Sequence, residues 1–375
     1  KKQKLVEIHQ ALNSDPVDIE TLRRAAVSEG GLLTDEIRRK VWPKLLGVNV
    51  YDLPAKPGPN LWISHDWDYR YASVGHRYLK SHSLPPGMRD DQRGVLQEQL
   101  IDIILLILKR NPQLHYYQGY HDIVVTFLLV VGERMAVAMV ETLSTHHLRD
   151  FMDPTMDSTK HILNYLMPIL EQVDPELHEF MQRAEVGTIF ALSWLITWYG
   201  HVLSDFRHVL RLYDFFLASH PLMAIYFAAV IVLHREKEVK HCDCDMPSIH
   251  QLLSQIPQNL PYEELISRAE ELLKCYPPTL LEKRAAIQPR KSLTISSFQD
   301  FQRARLQQRP DAVLRRQLQK RPPAELAAVE DAAATESSHL VKMAVWGISA
   351  TLGAAALAVA QTALEWAPEF LLQLF

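Results

Sequence analysis

Tyr116-Tyr117-Gln118-Gly119-Tyr120-His121-Asp122 is a polar, aromatic heptad set between two apolar stretches. Leu96 to Leu108 precede it, closed by the breaker Asn111-Pro112, and Ile123 to Val131 follow. Upstream, Leu96, Leu100, Ile103, Ile104 and Ile107 recur at helical spacing, so the heptad is a corner between two buried helices. Gly119 permits close backbone approach or an unusual φ. Gln118 carries an amide donor and an acceptor together, and such a group can orient a water molecule without being charged. The same residue types also suit a structural corner in which Tyr, Gln and His satisfy one another's hydrogen bonds.

The helical period extends in both directions. Residues 1–46 read as two or three amphipathic helices. Leu22, Ala25 and Ala26 lead to a stop at Gly30-Gly31, and Thr34 N-caps a helix bearing Ile37, Val41 and Leu45, with Trp42 beside them. Pro54, Pro57 and Pro59 make 48–62 a loop. Residues 63–84 are rich in Tyr, Trp, His and Ser and show no clean period. Further helices are expected over about 90–110, 123–147, 159–171, 174–183, 187–203, 205–218, 221–238 and 262–274. No sustained alternation that would make a sheet occurs, and the fold class is all-α, a multi-helix domain.

Composition agrees with a folded protein: 47% apolar and 22% charged residues suffice for a large core. A net charge of −4, with no basic run interleaved with aromatics, argues against a nucleic-acid partner. Three cysteines do not make a disulfide framework and fit a reducing compartment. Lys1-Lys2-Gln3-Lys4 has no initiator Met and no apolar core of a signal peptide, so it reads as a trimmed end.

From Pro277 the composition turns to Arg, Gln, Ala, Ser and Pro, with few large apolar residues after Phe301. Residues 276–340 therefore read as a flexible linker, with short helices near 298–320. Its basic cluster, Arg303, Arg305, Arg315, Arg316, Lys320 and Arg321, suits either anionic lipid headgroups or plain solvation. Met343 to Ala360 carries no charge, and the apolar run extends to Leu364. About 20 such residues cover the hydrocarbon slab of a bilayer. With Trp346 and Trp366 near the ends and basic residues upstream, 341–364 reads as one transmembrane helix. That places the main domain in the cytosol and a short tail, 365–375, across the membrane. The apolar runs within 123–233 are too short for a multi-pass arrangement.

Other constellations are weaker. His241-Cys242-Asp243-Cys244-Asp245 gathers ligand-type residues, but a lone CxC is poor zinc spacing, and a surface loop is expected with no metal site. His201 and Asp205, with Asp214 later, could form an acid–base pair, although four-residue spacing at a helix corner more often makes a cap. No glycine loop of the nucleotide-binding kind is present.

Tyr117-Gln118-Gly119 resembles the YQG motif of TBC domains, the Rab GTPase-activating family. Two further blocks agree in order. Ile37-Arg38, Val41-Trp42 and Leu45-Leu46-Gly47 are similar to the family's opening block. Ser193-Trp194-Leu195 through His201, then Arg211 to Leu217, resembles its later one. The resemblance covers about 30–275 and leaves 1–29 as a helical extension. It implies a GTPase-activating protein whose partner is a Rab in its GTP-bound form. Gln118 would replace the GTPase's own glutamine in orienting the attacking water, with Tyr117 packed beneath and Gly119 allowing close approach. No cofactor is implied on this side, because Mg²⁺ and GTP travel with the partner.

The family also supplies an arginine from an IxxDxxR motif, worth about 10³–10⁵ in rate. No IxxDxxR stands in this sequence. Ile63-Ser64-His65-Asp66-Trp67-Asp68-Tyr69-Arg70 places its arginine one residue late, which turns a helical side chain by about 100°. Val74 to Lys80 keeps the spacing with Arg77 in the Asp slot and Lys80 in the Arg slot. Gln118 and Arg77 are thus the expected catalytic pair, and Tyr117, Gly119, Arg70, Asp122 and Trp42 the expected binding residues. The departure from the motif also leaves open a non-catalytic adaptor that binds Rab–GTP. Within the family, a minimal domain joined to a C-terminal anchor resembles its ER-anchored branch, which implies an address on the ER and Rab substrates of the ER–Golgi step.

Overall fold

Apolar residues recurring at helical rather than alternating spacing let the backbone satisfy its hydrogen bonds within each segment, and every regular element among the described residues is helical. The structure, a computed structural model, describes residues 1–54 and 90–319, all of which fall in one compact unit. The expected transmembrane helix 341–364 and the 63–84 segment lie outside the described residues. Among those described, no helix is long and apolar enough to cross a membrane.

The N-terminal part holds α1 (Lys2–Asn13), α2 (Ile19–Val27) and α3 (Asp35–Leu46). Thr34 caps α3 by accepting from the Ile37 N–H at 3.4 Å, and Gly47 closes it in the left-handed region at φ 72°. Then come α4 (Asp90–Arg110), α5 (Tyr120–Val131) and α6 (Glu133–Thr145). The single helix expected over 123–147 is broken at Gly132, whose φ of 81° helical residues do not adopt.

Next are α7 (Asp157–Leu163), α8 (Leu166–Val173), α9 (Pro175–Arg183) and the short α10 (Leu192–Ile196), which replaces the longer helix expected over 187–203. The last group is α11 (Phe206–Leu217), α12 (Met223–His234), α13 (Glu236–His241), α14 (Met246–Ser254) and α15 (Tyr262–Cys275). Helix α12 is apolar on every side and buried from Met223 to Leu233, so it forms the centre against which α8 and α15 pack.

A buried carboxylate ties the first block to the later one. Asp214 on α11, 0% exposed, accepts from Arg38 Nε at 3.0 Å, Arg38 Nη2 at 2.9 Å, Trp42 Nε1 at 2.8 Å and the Leu32 N–H at 3.0 Å. Burial pushes its carboxyl pKa up, while the Arg38 fork, the indole and the amide pull the other way. Three residues earlier, Arg211 donates to the Ala26, Val27 and Ser28 carbonyls at the end of α2 and pairs with Glu263 at 2.8 Å. At Gly31, φ is 54° and a Cβ would lie 2.6 Å from Asp214 Oδ2, which leaves room only for hydrogen.

The flexible linker expected from residue 276 is corrected over its described part. Residues 278–319 fold into α16 (Pro278–Ala285), α17 (Leu293–Arg305) and α18 (Asp311–Gln319). Few apolar residues suffice here because each meets a specific target. Phe301 lies tilted against His146 at 4.3 Å and meets His147 edge-on at 5.5 Å, and Phe298 meets His220 at 4.7 Å. Ser292 and the amides of Leu293 and Thr294 donate to Asp150. Arg305, expected among lipid- or solvent-facing cations, is buried; it donates to the Leu45 carbonyl and lies over the Phe301 ring at 4.3 Å. Farther on, Lys44 pairs with Asp311 at 2.8 Å and Asp15 with Arg309 at 2.7 Å.

His147 sits inside this strap with both ring nitrogens unpartnered among the described residues, and burial holds its pKa well below 6.5. Burial also lowers His220 to about 4. Both rings are neutral in the fold, whereas the unfolded chain takes up protons below about 6.5. Stability therefore falls as pH drops from about 6.5 towards 4, by on the order of 1–2 kcal/mol per histidine at pH 5. Urea unfolding of residues 1–319 at pH 7.5 and pH 5 checks this: His147→Phe should narrow the gap between the two by about that amount.

Candidate functional site

The site grows from the breaker after α4. Asn111 turns its side-chain amide back onto the Ile107 carbonyl at 2.9 Å and across to Glu141 at 2.8 Å, ending the helix. A turn follows, closed by the Leu114 N–H donating to the Asn111 carbonyl at 2.9 Å, and the His115 N–H then donates to the Met152 carbonyl at 2.8 Å. Tyr117 turns inward, its hydroxyl donating to the Ile196 carbonyl at 2.8 Å and its ring meeting Tyr120 at 5.6 Å and Phe151 at 6.1 Å. Burial raises its phenol well above the usual range, so it acts as a neutral donor. Tyr120 is anchored in turn by a 2.6 Å hydrogen bond with Ser144.

Gln118 follows and points the other way: it is exposed. Gly119 has φ 105°, and a Cβ there would lie 2.8 Å from Thr197 Cγ2. That contact seats the turn against the end of α10 and makes glycine the residue that fits. An inward tyrosine, an outward glutamine and a glycine pressed on a neighbour present an uncharged amide from a braced turn. Such a group can orient a water or a hydroxyl on a docked partner. Among the described residues no group of His, Cys, Asp and Glu is arranged to hold a metal ion.

Asp122, expected as a binding residue, is 3% exposed and looks sideways. Its Oδ2 lies 3.8 Å from His121 Nε2 and 3.7 Å from His201 Nδ1. His121 is buried, which lowers its pKa against the pull of Asp122, and its Nδ1 meets the Tyr116 hydroxyl at 3.0 Å. Trp42 is corrected more strongly. It is 0% exposed, bonded to Asp214 and packed on Phe127 at 5.4 Å and Tyr213 at 6.2 Å, so it belongs to the scaffold and cannot reach a partner. Arg70 and Arg77 lie outside the described residues.

The cap expected at the 201–205 corner is present, and His201 and Asp205 form no acid–base pair. Asp205 caps α11 through the Arg207 N–H at 2.9 Å and pairs with the Arg207 side chain at 2.7 Å, and Asp214 is the scaffold hub already described. His201 reaches Asp122 because the chain turns sharply after α10. Trp198 and Tyr199 take φ of 45° and 65°, a region in which bulky residues cost on the order of 1–3 kcal/mol each. Packing holds them there: the Trp198 ring meets Tyr213 at 5.3 Å and Phe216 at 5.4 Å, and the Tyr199 hydroxyl donates to the Ala224 carbonyl at 2.8 Å. No local sequence signal marks this pair of left-handed aromatics.

Comparison with known proteins agrees with the scaffold and the turn. Residues 35–240 match the Rab-GTPase-TBC domain family, and the chain belongs to that family. It is 66% identical to TBC1 domain family member 20 of Homo sapiens over 377 residues, which covers 100% of this chain and 93% of that protein. It is also 31% identical to the GTPase-activating protein gyp10 of Schizosaccharomyces pombe over 270 residues, covering 71% of this chain and 70% of the relative. The solved Ypt/Rab-GAP domain of Gyp1p shares the fold, with a TM-score of 0.59 at 16% identity over 73% of this chain and 98% of that one.

Gly119→Ala tests the seating of the turn. The added methyl meets Thr197 at a strained φ, so we expect a loss of about 1–3 kcal/mol of stability in thermal or urea unfolding. Thr197→Ser, which removes the opposing methyl, should recover part of it in the double variant.

Proposed function

We infer that this chain accelerates GTP hydrolysis on Rab GTPases by inserting Gln118 beside the nucleotide of a docked partner. The observation that carries the reading is the exposed Gln118 on a turn fixed from below by Tyr117 and from the side by Gly119 against Thr197. A GTPase alone hydrolyses slowly because the attacking water is loosely held and charge on the transferring phosphoryl group is incompletely neutralised. A preorganised amide meets the first need. Its backbone loses no further freedom when the partner arrives, since the fold already holds the turn.

The second need calls for a cation, and Arg77, then Arg70, are the candidates in this sequence. Mg²⁺ and GTP come with the partner. The segment 341–364, apolar from Met343 onward, tethers the domain to a membrane, in keeping with an address on the ER and a role in vesicle traffic between ER and Golgi. A Rab-binding adaptor is the competing reading, favoured by the absence of IxxDxxR from the sequence.

Single-turnover GTP hydrolysis across a panel of GTP-loaded Rabs separates the two. Stimulation by the wild-type chain should fall by about 10²–10³ in Gln118→Ala, the loss usual for one preorganised donor. It should fall by about 10³ or more in Arg77→Ala. Tight binding to a Rab–GTP with no stimulation of any Rab would establish the adaptor instead.

A further inference from the structure

The sharp corner at 198–199 delivers one side chain to the surface. His201 leaves the core there, its side chain 56% exposed and its Nδ1 3.7 Å from the buried Asp122 carboxylate. Asp122 stands in the first turn of α5, three residues beyond Gly119. Thr197 joins the two corners. Its methyl faces the hydrogen of Gly119, and its hydroxyl accepts from the His201 N–H at 3.4 Å. Gln118 and His201 therefore flank a single contact, Gly119 against Thr197, and both are exposed.

A backbone conformation so unfavourable for two consecutive aromatic residues persists only where surrounding packing enforces it, and such sites concentrate where function needs a side chain held in place. The carboxylate beneath the ring has a physical consequence as well. With Nδ1 turned to Asp122, Nε2 is the ring nitrogen left for a partner.

We propose that His201, seated on Asp122, is a second partner-facing group of this site and donates from Nε2 to an anionic oxygen on the docked GTPase. This rests on the reading of the chain as a protein that engages Rab–GTP. The oxygen belongs either to a phosphate of the bound nucleotide or to a carboxylate on the GTPase surface. The contact is charge-assisted, and contacts of that kind are worth about ten- to hundredfold in an equilibrium or a rate.

The test uses the full chain in vesicles or detergent, with GTP-loaded Rabs and the variants His201→Ala, His201→Gln and His201→Arg. Wild-type stimulation is measured first, with Gln118→Ala as the reference for loss of the water-orienting group. His201→Ala and His201→Gln should each lower kcat/KM by about tenfold or more, with melting temperatures unchanged, and His201→Arg should restore most of it. A loss confined to kcat assigns the oxygen to the nucleotide phosphate, and a loss confined to KM assigns it to a GTPase carboxylate. Should the wild type bind without stimulating, Kd replaces kcat/KM and the same order of variants is expected.

Retention of wild-type kcat/KM or Kd in His201→Gln overturns the proposal, as does an Arg variant no better than Gln. Failure of the wild-type chain both to stimulate and to bind any Rab–GTP is a distinct result: it removes the partner itself, and the proposal falls with it.

Discussion

The fold depends on a carboxylate with no access to water. Asp214 is stable in the interior because Arg38 grips it with two nitrogens while Trp42 and the Leu32 amide fill the remaining lone pairs. A buried pair of this kind adds little net stability over a well-packed apolar core, but removing one member leaves a bare charge and costs about 3–5 kcal/mol. Its effect is therefore mostly on geometry. Helices α2, α3 and α11 can assemble in one register, the one in which Gly31 clears Asp214 and Arg211 reaches the carbonyls ending α2.

That register sets the site. Trp42 and Tyr213, held by the hub and its neighbour on α11, both pack on Phe127, which fixes α5 and with it the turn at its N-terminal end. On the other side, Trp198 packs on Tyr213 and Phe216, so the corner beyond α10 is located by the same helix. The two corners meet at Gly119 and Thr197. An exposed glutamine and an exposed histidine are thereby presented from backbone the core has immobilised, the arrangement that electrostatic catalysis and tight recognition both require.

Much of this was legible in the residues and some was not. Helical period, the Thr34 cap and the fully apolar 223–233 run follow from local physics, as does the corner at Tyr117-Gln118-Gly119. Trp42 is ambiguous in the sequence because a conspicuous aromatic in a motif block fits a partner contact and a core filler equally, and only its burial against Asp214 decides. The strap from 278 to 319 is not legible because average composition hides two aromatic residues, Phe298 and Phe301, that pack on specific histidines. The cap at Asp205 follows from local spacing, whereas the carboxylate beside His201 lies 79 residues upstream at Asp122 and has no local signal. A side-chain meeting created by two left-handed aromatics has no periodic trace.

The central claim is that the rim formed by the Gln118 turn and the 197–201 corner is the face that receives a GTPase. Amide hydrogen exchange of the full chain, alone and with a Rab loaded with a non-hydrolysable GTP analogue, tests it most directly. The account requires slowed exchange across 116–122 and 197–203 in the complex, with α14 and α15 unaffected. Protection confined to other surfaces, with both corners exchanging as in the free protein, would contradict it.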